Sequence, residues 1–345
     1  MSDEGRASTA PRAILFGCAG EGLTAEERAL FTDSNPLGFV LFRRNCREPG
    51  QIRELVAEMR DCVGRGDAPV LIDQEGGRVA RLRPPHWPAY PPGRAYGRLQ
   101  PALGEEIARL GARMIAADLA ALGVDVDCLP VADTPVPGAN DVIGDRAYAE
   151  DPAAIARLAR AAADGLLAGG VLPVVKHMPG HGRARADSHE ALPVVEASRA
   201  ELERDFAPFR ALADLPAGMT AHVVYTALDP AAPATTSARV IGETIRGDIG
   251  FQGLLLSDDL SMNALSGSLG ERARAALAAG CDLALHCNGD AAEMRAVAEG
   301  VRPLQGLAAE RAEAALARIA GPPEAFDAAK ARARFEAAFA GVWAP

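Results

Sequence analysis

The chain has 345 residues, of which 49% are apolar and 24% are charged, and its formal net charge is −10. This composition is typical of a globular protein and excludes a collagenous, disordered or membrane-spanning chain. The acidic balance, without a dense basic run, argues against nucleic acid as a partner. The length is routine for one α/β barrel that carries a few extra helices.

The N-terminus begins with acidic residues, Asp3 and Glu4, rather than with the basic region of an export signal. Residues 15–18 are similar to a lipoprotein cleavage box, but the segment before them is short and polar. We therefore predict a strand at this run and a cytoplasmic location. The six cysteines are scattered and form no CxxC pair, which indicates reduced thiols rather than a metal or redox motif.

Short runs rich in Val, Ile and Leu alternate with segments of helical period, as is typical of parallel strands that are buried on both faces. The runs predict eight strands, at residues 13–20, 38–44, 69–74, 124–132, 171–177, 218–224, 253–258 and 283–287. Predicted helices lie between them, at residues 49–63, 104–121, 152–168, 199–213, 237–249, 271–279 and 291–301.

Eight strands with intervening helices predict a TIM (β/α)8 barrel over about residues 12–303. A doubly wound dinucleotide fold would need GxGxxG after the first strand, and the glycines at 17, 20 and 22 have a different spacing. Two further helices, at 307–319 and 325–340, follow without a ninth strand or a break in composition. We expect residues 304–345 to pack on the outside of the barrel, so that 1–345 form a single domain.

Polar residues gather directly after the predicted strands, where barrel enzymes place their active sites. They include Asp73, Asp133, Lys176, His177, His222, Asp258, Asp259 and His286. The segment 176–189 is the densest, with one Lys, three His, two Arg and one Asp. A single strand-end Asp is often only a helix cap. The convergence of so many polar residues predicts an active site.

Four segments of this region resemble motifs of the β-N-acetylhexosaminidases of glycoside hydrolase family 3. Residues 176–182 followed by 187–189 are similar to the family's KHFPGHG and DSH signature, and the other matches are at 71–81, 141–146 and 257–262. Met178 stands where the family usually has Phe, and both side chains are large and apolar. The resemblance implies a TIM-barrel catalytic domain of the single-domain, cytoplasmic branch.

The resemblance also implies the catalytic residues of a retaining glycosidase. Asp258 aligns with the family's nucleophile, and His189, held by Asp187, aligns with its acid/base. The residue types suit this chemistry, because retention needs an attacking carboxylate and a group that gives and takes back a proton. A carboxylate beside an imidazole raises the pKa of the imidazole, so a His can do this near neutral pH. Asp259 should point away from its neighbour along the strand and is predicted to be a cap.

By the same resemblance, the sugar is bound by Asp73, Arg81, Arg146, Lys176 and His177. The two arginines have an alternative role as ion-pair partners. His181, which lies between two glycines, is predicted to be structural. For His222 and His286 two roles stay open, lining the pocket or filling the barrel mouth.

The implied substrate is a terminal β-linked N-acetylglucosamine, released from N-acetylglucosaminyl-1,6-anhydro-N-acetylmuramic acid fragments in cell-wall recycling. We expect a monomer that needs no metal or other cofactor and binds neither nucleic acid nor membrane. Two alternatives within the family are a β-glucosidase and a phosphorylase. Outside it, the chain could be a non-enzymatic sugar-binding protein or a metal-dependent barrel hydrolase with His177, His189 and Asp258 as ligands, although the usual HxH pair after the first strand is missing.

Overall fold

The computed structural model describes residues 10–188 and 191–344. Eight parallel strands form a closed barrel, and they are β1 (Arg12–Phe16), β2 (Pro36–Leu41), β3 (Val70–Ile72), β4 (Val126–Asp127), β5 (Leu172–Met178), β6 (Ala217–Thr220), β7 (Leu254–Asp259) and β8 (Leu283–His286). Each strand pairs with its neighbours in the sequence, and β1 closes the ring against β8, with Ile14 opposite Ala284. All eight predicted strands are present, and the predicted barrel is confirmed.

The α-helices are α1 (Ala25–Ser34), α2 (Pro49–Val63), α3 (Gly93–Tyr96), α4 (Pro101–Ala120), α5 (Pro152–Ala168), α6 (Arg199–Ala211), α7 (Leu269–Ala279), α8 (Ala291–Gly300), α9 (Gly306–Ala317) and α10 (Ala328–Phe339). Short 3₁₀ turns occur at Arg43–Asn45, Gly144–Arg146 and Ala234–Thr236. The segment that we predicted as a helix at 237–249 is a π-helix over Val240–Asp248, a form that periodicity alone does not distinguish from an α-helix.

Local signals explain where several helices begin. The side chain of Asp151 accepts a hydrogen bond from the Ala154 N–H, and Pro152 occupies the first turn of α5. Helix α1 begins with a capping box between Thr24 and Glu27. We did not predict α1, because its buried residues include only two large apolar side chains, Leu30 and Phe31, too few to set a period.

Inside the amino end of the barrel, leucines and valines from several strands meet. Leu316 of α9 faces the same space as Leu15, Leu71 and Leu256, so α9 covers the amino end of the barrel. The amino end is also an outer surface of the barrel, so this position of α9 does not contradict the expected packing of residues 304–345 on the outside. Helix α10 also lies on the outside, beside α4, and its Phe335 packs edge-on against Tyr96.

Two small sheets shape the opposite, carboxyl end. Gln74–Gly76 pairs antiparallel with Val79–Ala80 in the loop after β3, and Val194–Val195 pairs parallel with Val224–Tyr225. The second sheet joins the connection after β5 to the connection after β6. Across the residues described above, no helix combines the length and the apolar character that crossing a membrane requires.

Candidate active site

A cavity of about 260 Å³ opens at the carboxyl end of the barrel. Six of the predicted site residues line it together, and they are Asp73, Arg81, Arg146, Lys176, His177 and Asp258. They come from the ends of β3, β5 and β7 and from the loops that follow β3 and β4. The barrel therefore brings together groups that lie up to 185 residues apart in the chain, counted from Asp73 to Asp258.

Asp73 and Lys176 form the centre of a buried ionic network. The Nζ of Lys176 lies 2.7 Å from Oδ1 of Asp73, and Nη2 of Arg81 lies 2.8 Å from Oδ2 of the same carboxylate. Burial would raise the pKa of Asp73, but Lys176 and Arg81 outweigh it and hold this pKa far below its usual range. Asp73 is therefore a fixed negative charge in the cavity wall.

Glu75 extends the network, although we assigned it no role from the sequence. Its Oε1 lies 2.7 Å from Nζ of Lys176, and both of its oxygens accept hydrogen bonds from Arg146, at 2.8 and 2.9 Å. Burial would raise the pKa of Glu75, yet Arg146 and Lys176 lower it to about 2. The two-residue spacing of Asp73 and Glu75 is the signal that could have found it, because alternate residues of an extended segment share a face.

Arg81 and Arg146 thus both form ion pairs, which is the alternative role that we considered for them. Both also line the cavity. The guanidinium of Arg81 lies over the ring of Phe42, 4.9 Å from its centroid, and the guanidinium of Arg44 lies 5.2 Å from the same centroid. Phe42 is itself part of the lining. The cavity therefore has a charged side near β3 to β5 and a more apolar side near β2 and β8.

Asp258, at the end of β7, lies opposite this network in the cavity lining. Its Oδ1 accepts a hydrogen bond of 2.8 Å from the backbone N–H of Asp259. Burial would raise the pKa of Asp258, but His222, His177, the Asp259 N–H and Lys176 together hold it below its usual value. The carboxylate is thus ionised near neutral pH, as a nucleophile must be.

The carboxylate of Asp259 makes the hydrogen bonds that we predicted for a cap. Its Oδ2 accepts a 2.6 Å hydrogen bond from the hydroxyl of Ser261, and its Oδ1 accepts from the backbone N–H groups of Ser261 and Cys287. These bonds tie the end of β7 to the turn that follows it and to the end of β8. Asp258 and Asp259 nevertheless both belong to the cavity lining, so the expectation that Asp259 points away from its neighbour is wrong.

His177 is oriented by Asp133, a fully buried residue that follows β4. Nδ1 of His177 lies 2.7 Å from Oδ2 of Asp133, and the backbone N–H of His181 donates to Oδ1 of Asp133 at 2.6 Å. His181 is buried as expected for a structural residue, although its ring also reaches the cavity lining. Burial, then the neighbouring His177, lower the pKa of His181 to about 4, so its ring is neutral at pH 7.

Besides the contact of His181 with Asp133, the loop after β5 is held by contacts with two further parts of the chain. The hydroxyl of Tyr225 donates to the carbonyl of Gly180 at 2.7 Å, and Arg183 pairs with the buried Asp205 of α6. Ser188 lines the cavity, whereas Asp187 is half-buried and is not part of the lining. His189 lies outside the described residues.

The two histidines with open roles belong to the barrel mouth rather than to the cavity lining. The ring of His222 makes two hydrogen bonds, at 2.9 Å to the carbonyl of Asp259 and at 2.7 Å to the hydroxyl of Thr235. Since a carbonyl only accepts, Nε2 is the proton donor in the first of these contacts. His286 is fully buried and packs edge-on against Phe16, with ring centroids 6.3 Å apart.

Within 10–188 and 191–344, no group of three or more His, Cys, Asp or Glu side chains could hold a metal ion. What the cavity offers instead is the ionised carboxylate of Asp258 opposite three lining cations and the lining carboxylate of Asp73. This arrangement suits a small polyhydroxylated ligand, whose hydroxyl groups the charged side chains can bind.

Comparison with known proteins agrees with this geometry. Residues 18–321 match the glycosyl hydrolase family 3 N-terminal domain. The β-hexosaminidase of Alkalilimnicola ehrlichii is 42% identical over 283 residues, 80% of each chain, and that of Pseudomonas aeruginosa is 40% identical over 289 residues, 83% of this chain and 85% of the relative.

Among solved structures, NagZ from Neisseria gonorrhoeae in complex with N-trifluoroacetyl-D-glucosamine superposes with a TM-score of 0.82 at 33% identity, covering 97% of this chain and 98% of that one. The extent of the family match, the identity of the relatives and the closed barrel agree with one another. The chain belongs to glycoside hydrolase family 3.

Proposed function

We propose that this protein is a retaining β-N-acetylglucosaminidase, which hydrolyses a terminal β-linked N-acetylglucosamine by double displacement. The observation that carries the proposal is the convergence of Asp258 with the network of Asp73, Lys176 and Arg81 in one cavity. The general class, a β-hexosaminidase of glycoside hydrolase family 3, rests on the relatives of that name.

The charged side of the cavity supports sugar binding. Asp73 is a permanent hydrogen-bond acceptor for sugar hydroxyls, and Arg81, Arg146 and Lys176 are permanent donors. The apolar side, with Phe42, Met262 and Leu285 among its residues, suits the acyl methyl group and the C–H face of the ring. The gonococcal NagZ structure was obtained with an N-acylated glucosamine, which agrees with this class of sugar.

In the first step, a carboxylate oxygen of Asp258 bonds to the anomeric carbon while the bond from that carbon to the leaving oxygen breaks. His189, oriented by Asp187, gives its proton to the leaving oxygen. In the second step His189 takes a proton from water, the water oxygen bonds to the anomeric carbon, and the bond to Asp258 breaks. Two inversions give net retention. The low pKa of Asp258 supports its role, and the roles of Asp187 and His189 remain predictions.

We extend the proposal to the disaccharide of cell-wall recycling, N-acetylglucosaminyl-1,6-anhydro-N-acetylmuramic acid, handled by a monomer in the cytoplasm. The muramic acid unit carries a carboxylate, and the whole protein is acidic. Attraction must therefore come from local cations. Arg44 and Arg81, which both lie over the ring of Phe42 at the cavity, supply such local charge.

The decisive experiment is to trap the glycosyl intermediate. A 5-fluoro N-acetylglucosaminyl fluoride should form an adduct that mass spectrometry locates on Asp258, because the ring fluorine slows both steps while the good fluoride leaving group keeps the first step fast. Asp258→Ala should form no adduct and should lose at least about 10³-fold in kcat, while its thermal unfolding stays close to that of the parent. An adduct on another residue, or a variant within tenfold of the parent, would reject the nucleophile assignment.

The same assay separates the alternatives. A sugar-binding protein releases no chromophore from an aryl N-acetylglucosaminide, and a β-glucosidase prefers the aryl glucoside. A phosphorylase needs phosphate for full rate and yields a sugar phosphate, whereas the proposed enzyme yields free sugar at the same rate without phosphate. Loss of activity in a strong chelator would favour the metal-dependent hydrolase.

A further inference from the structure

Glu75 lies directly behind the cavity wall. Its side chain is only 4% exposed and is not part of the lining, whereas the two cations that it contacts, Lys176 and Arg146, both line the cavity. Glu75 therefore reaches the cavity only through those two side chains. This separates it from Asp73, which contacts Lys176 from within the lining.

The contacts fix the direction of both cations. Lys176 is held between Oδ1 of Asp73 and Oε1 of Glu75, each 2.7 Å from Nζ. An ammonium group has three N–H donors, so one is left for a ligand in the cavity. Arg146 uses Nε and Nη2 for Glu75 and Nη1 for the carbonyl of Val142 at 3.0 Å. The planar, bidentate contact holds its guanidinium in a single orientation.

Glu75 also sets the charge of the wall. The network alternates Arg81, Asp73, Lys176, Glu75 and Arg146, three cations against two carboxylates. Removal of Glu75 would leave Arg146 without a carboxylate contact in the described network and would leave Lys176 with Asp73 alone. Both cations would then lose a fixed direction, and Lys176 would move towards Asp73 and compete with the sugar for its oxygens.

We propose that Glu75 is a positioning residue for sugar binding, which aims the donors of Lys176 and Arg146 at the sugar hydroxyls without touching the sugar. The inference rests on the proposed function, because it assumes that a sugar occupies this cavity. Since the hydroxyl contacts are present both before and during bond cleavage, Glu75 acts mainly on binding rather than on the chemical step.

The test is Glu75→Gln in the full-length protein, assayed with an aryl N-acetylglucosaminide and with N-acetylglucosamine as a competitive inhibitor. We expect KM and the inhibition constant to rise together by about tenfold or more, with kcat changed less than about threefold. Glu106→Gln is the matched control, since Glu106 makes the same bidentate contact with Arg334, at 2.8 and 2.9 Å, on the surface. The control should leave both constants unchanged.

A double variant tests whether Glu75 acts through Arg146. If it does, adding Glu75→Gln to Arg146→Met should raise KM much less than it does in the parent, because the shared contact is already gone. If Glu75 had a purely structural role, Glu75→Gln would lower the melting temperature and leave KM unchanged. Its effect on the melting temperature would then be the same in the parent and in the Arg146→Met protein. An unchanged KM would therefore overturn the proposal, whatever the melting temperature of Glu75→Gln.

Should Glu75→Gln fail to fold, Glu75→Asp replaces it. The shorter carboxylate keeps the charge but cannot reach both cations, so KM should still rise, and a parental KM would overturn the proposal. Failure of the wild-type protein to cleave any N-acetylglucosaminide would reject the proposed function itself. Cleavage by the wild type together with parental constants in the Glu75 variants would reject only the role of Glu75.

Discussion

Single residues in this barrel are charged or neutral according to what surrounds them, and two buried acids illustrate the contrast. Glu75 has two cationic partners, and its pKa falls to about 2. Asp127 of β4 is fully buried, its Oδ1 accepts from the backbone N–H of Gln74 at 2.9 Å, and its Oδ2 has no hydrogen-bond partner among the described residues. Burial, only partly offset by that bond and by Lys176, raises the pKa of Asp127 to about 8.

Asp127 should therefore make the stability of the protein depend on pH. Between about pH 4 and 8 the folded state holds a proton that the unfolded chain has lost, so stability falls as pH rises, by at most about 1.4 kcal/mol per pH unit. Asp127→Asn keeps a neutral side chain at every pH and should remove this slope. The measurement is the free energy of unfolding in urea from pH 5 to 8.

The surface variant Asp151→Asn serves as the control, because its carboxylate caps α5 in contact with solvent. It should retain the slope of the parent across the whole range. An Asp127→Asn protein whose unfolding free energy falls with pH as steeply as that of the parent would show that Asp127 is ionised in the folded protein.

At the scale of elements, the connection after β5 forms one side of the cavity, through His181 and Ser188. Residues on this connection contact three separate parts of the chain. These are Asp133 in the segment after β4, helix α6 and the segment Val224–Tyr225. Gly182 lies so close to the carbonyl of Thr134 that a Cβ there would overlap it. The position of the loop thus depends on the absence of a side chain.

Gly182→Ala should displace the loop and with it His181 and Ser188, which line the cavity. Small misplacements of active-site groups are costly, and we expect kcat/KM to fall by about 10²-fold. The melting temperature should fall as well, because the overlap strains the folded state alone. Steady-state kinetics and thermal unfolding measure both effects.

Gly20→Ala provides the comparison, because a Cβ at Gly20 would meet nothing within 4 Å. It should match the parent in activity. If Gly182→Ala were as active as Gly20→Ala, the loop could accommodate the added Cβ. Its close contact with Thr134 would then not matter for catalysis.

At the scale of the whole molecule, the two C-terminal helices contact the barrel in different places. Helix α9 covers the amino end, and α10 lies on α4, where Phe335 is 2% exposed and packs against Tyr90 and Tyr96. These contacts are apolar and extensive. We propose that the barrel and the C-terminal helices form one domain that unfolds in a single step.

Phe335→Ala should then destabilise the entire protein by about 3–5 kcal/mol, the usual effect of emptying a buried aromatic site. Chemical denaturation should show one transition, shifted to lower denaturant, with unchanged kcat/KM below it. Leu307→Ala, at a side chain that is 65% exposed on α9, should shift the midpoint by less than about 0.5 kcal/mol. Two separate transitions in the Phe335→Ala protein would contradict a single domain.

The sequence by itself determined the barrel and most of the cavity wall. Strands buried on both faces must be continuously apolar, so eight such runs separated by helical segments were enough to predict the topology. Because a parallel barrel gathers all its strand ends on one side, polar residues after those runs had to meet. Six predicted residues do so, from Asp73 to Asp258.

Only the tertiary structure decided which of these side chains contact each other. The contacts of Glu75 with Arg146 and of Asp133 with His177 join residues 71 and 44 positions apart, and no local pattern records such a pairing. The position of α9 was likewise decided by tertiary structure. The apolar residues of this helix predict that one face is buried, but they do not say whether that face packs on the end or on the side of the barrel. Periodicity reports the environment of a residue along its own element, whereas ion-pair geometry and helix docking depend on shapes and charges that folding brings together from distant parts of the chain.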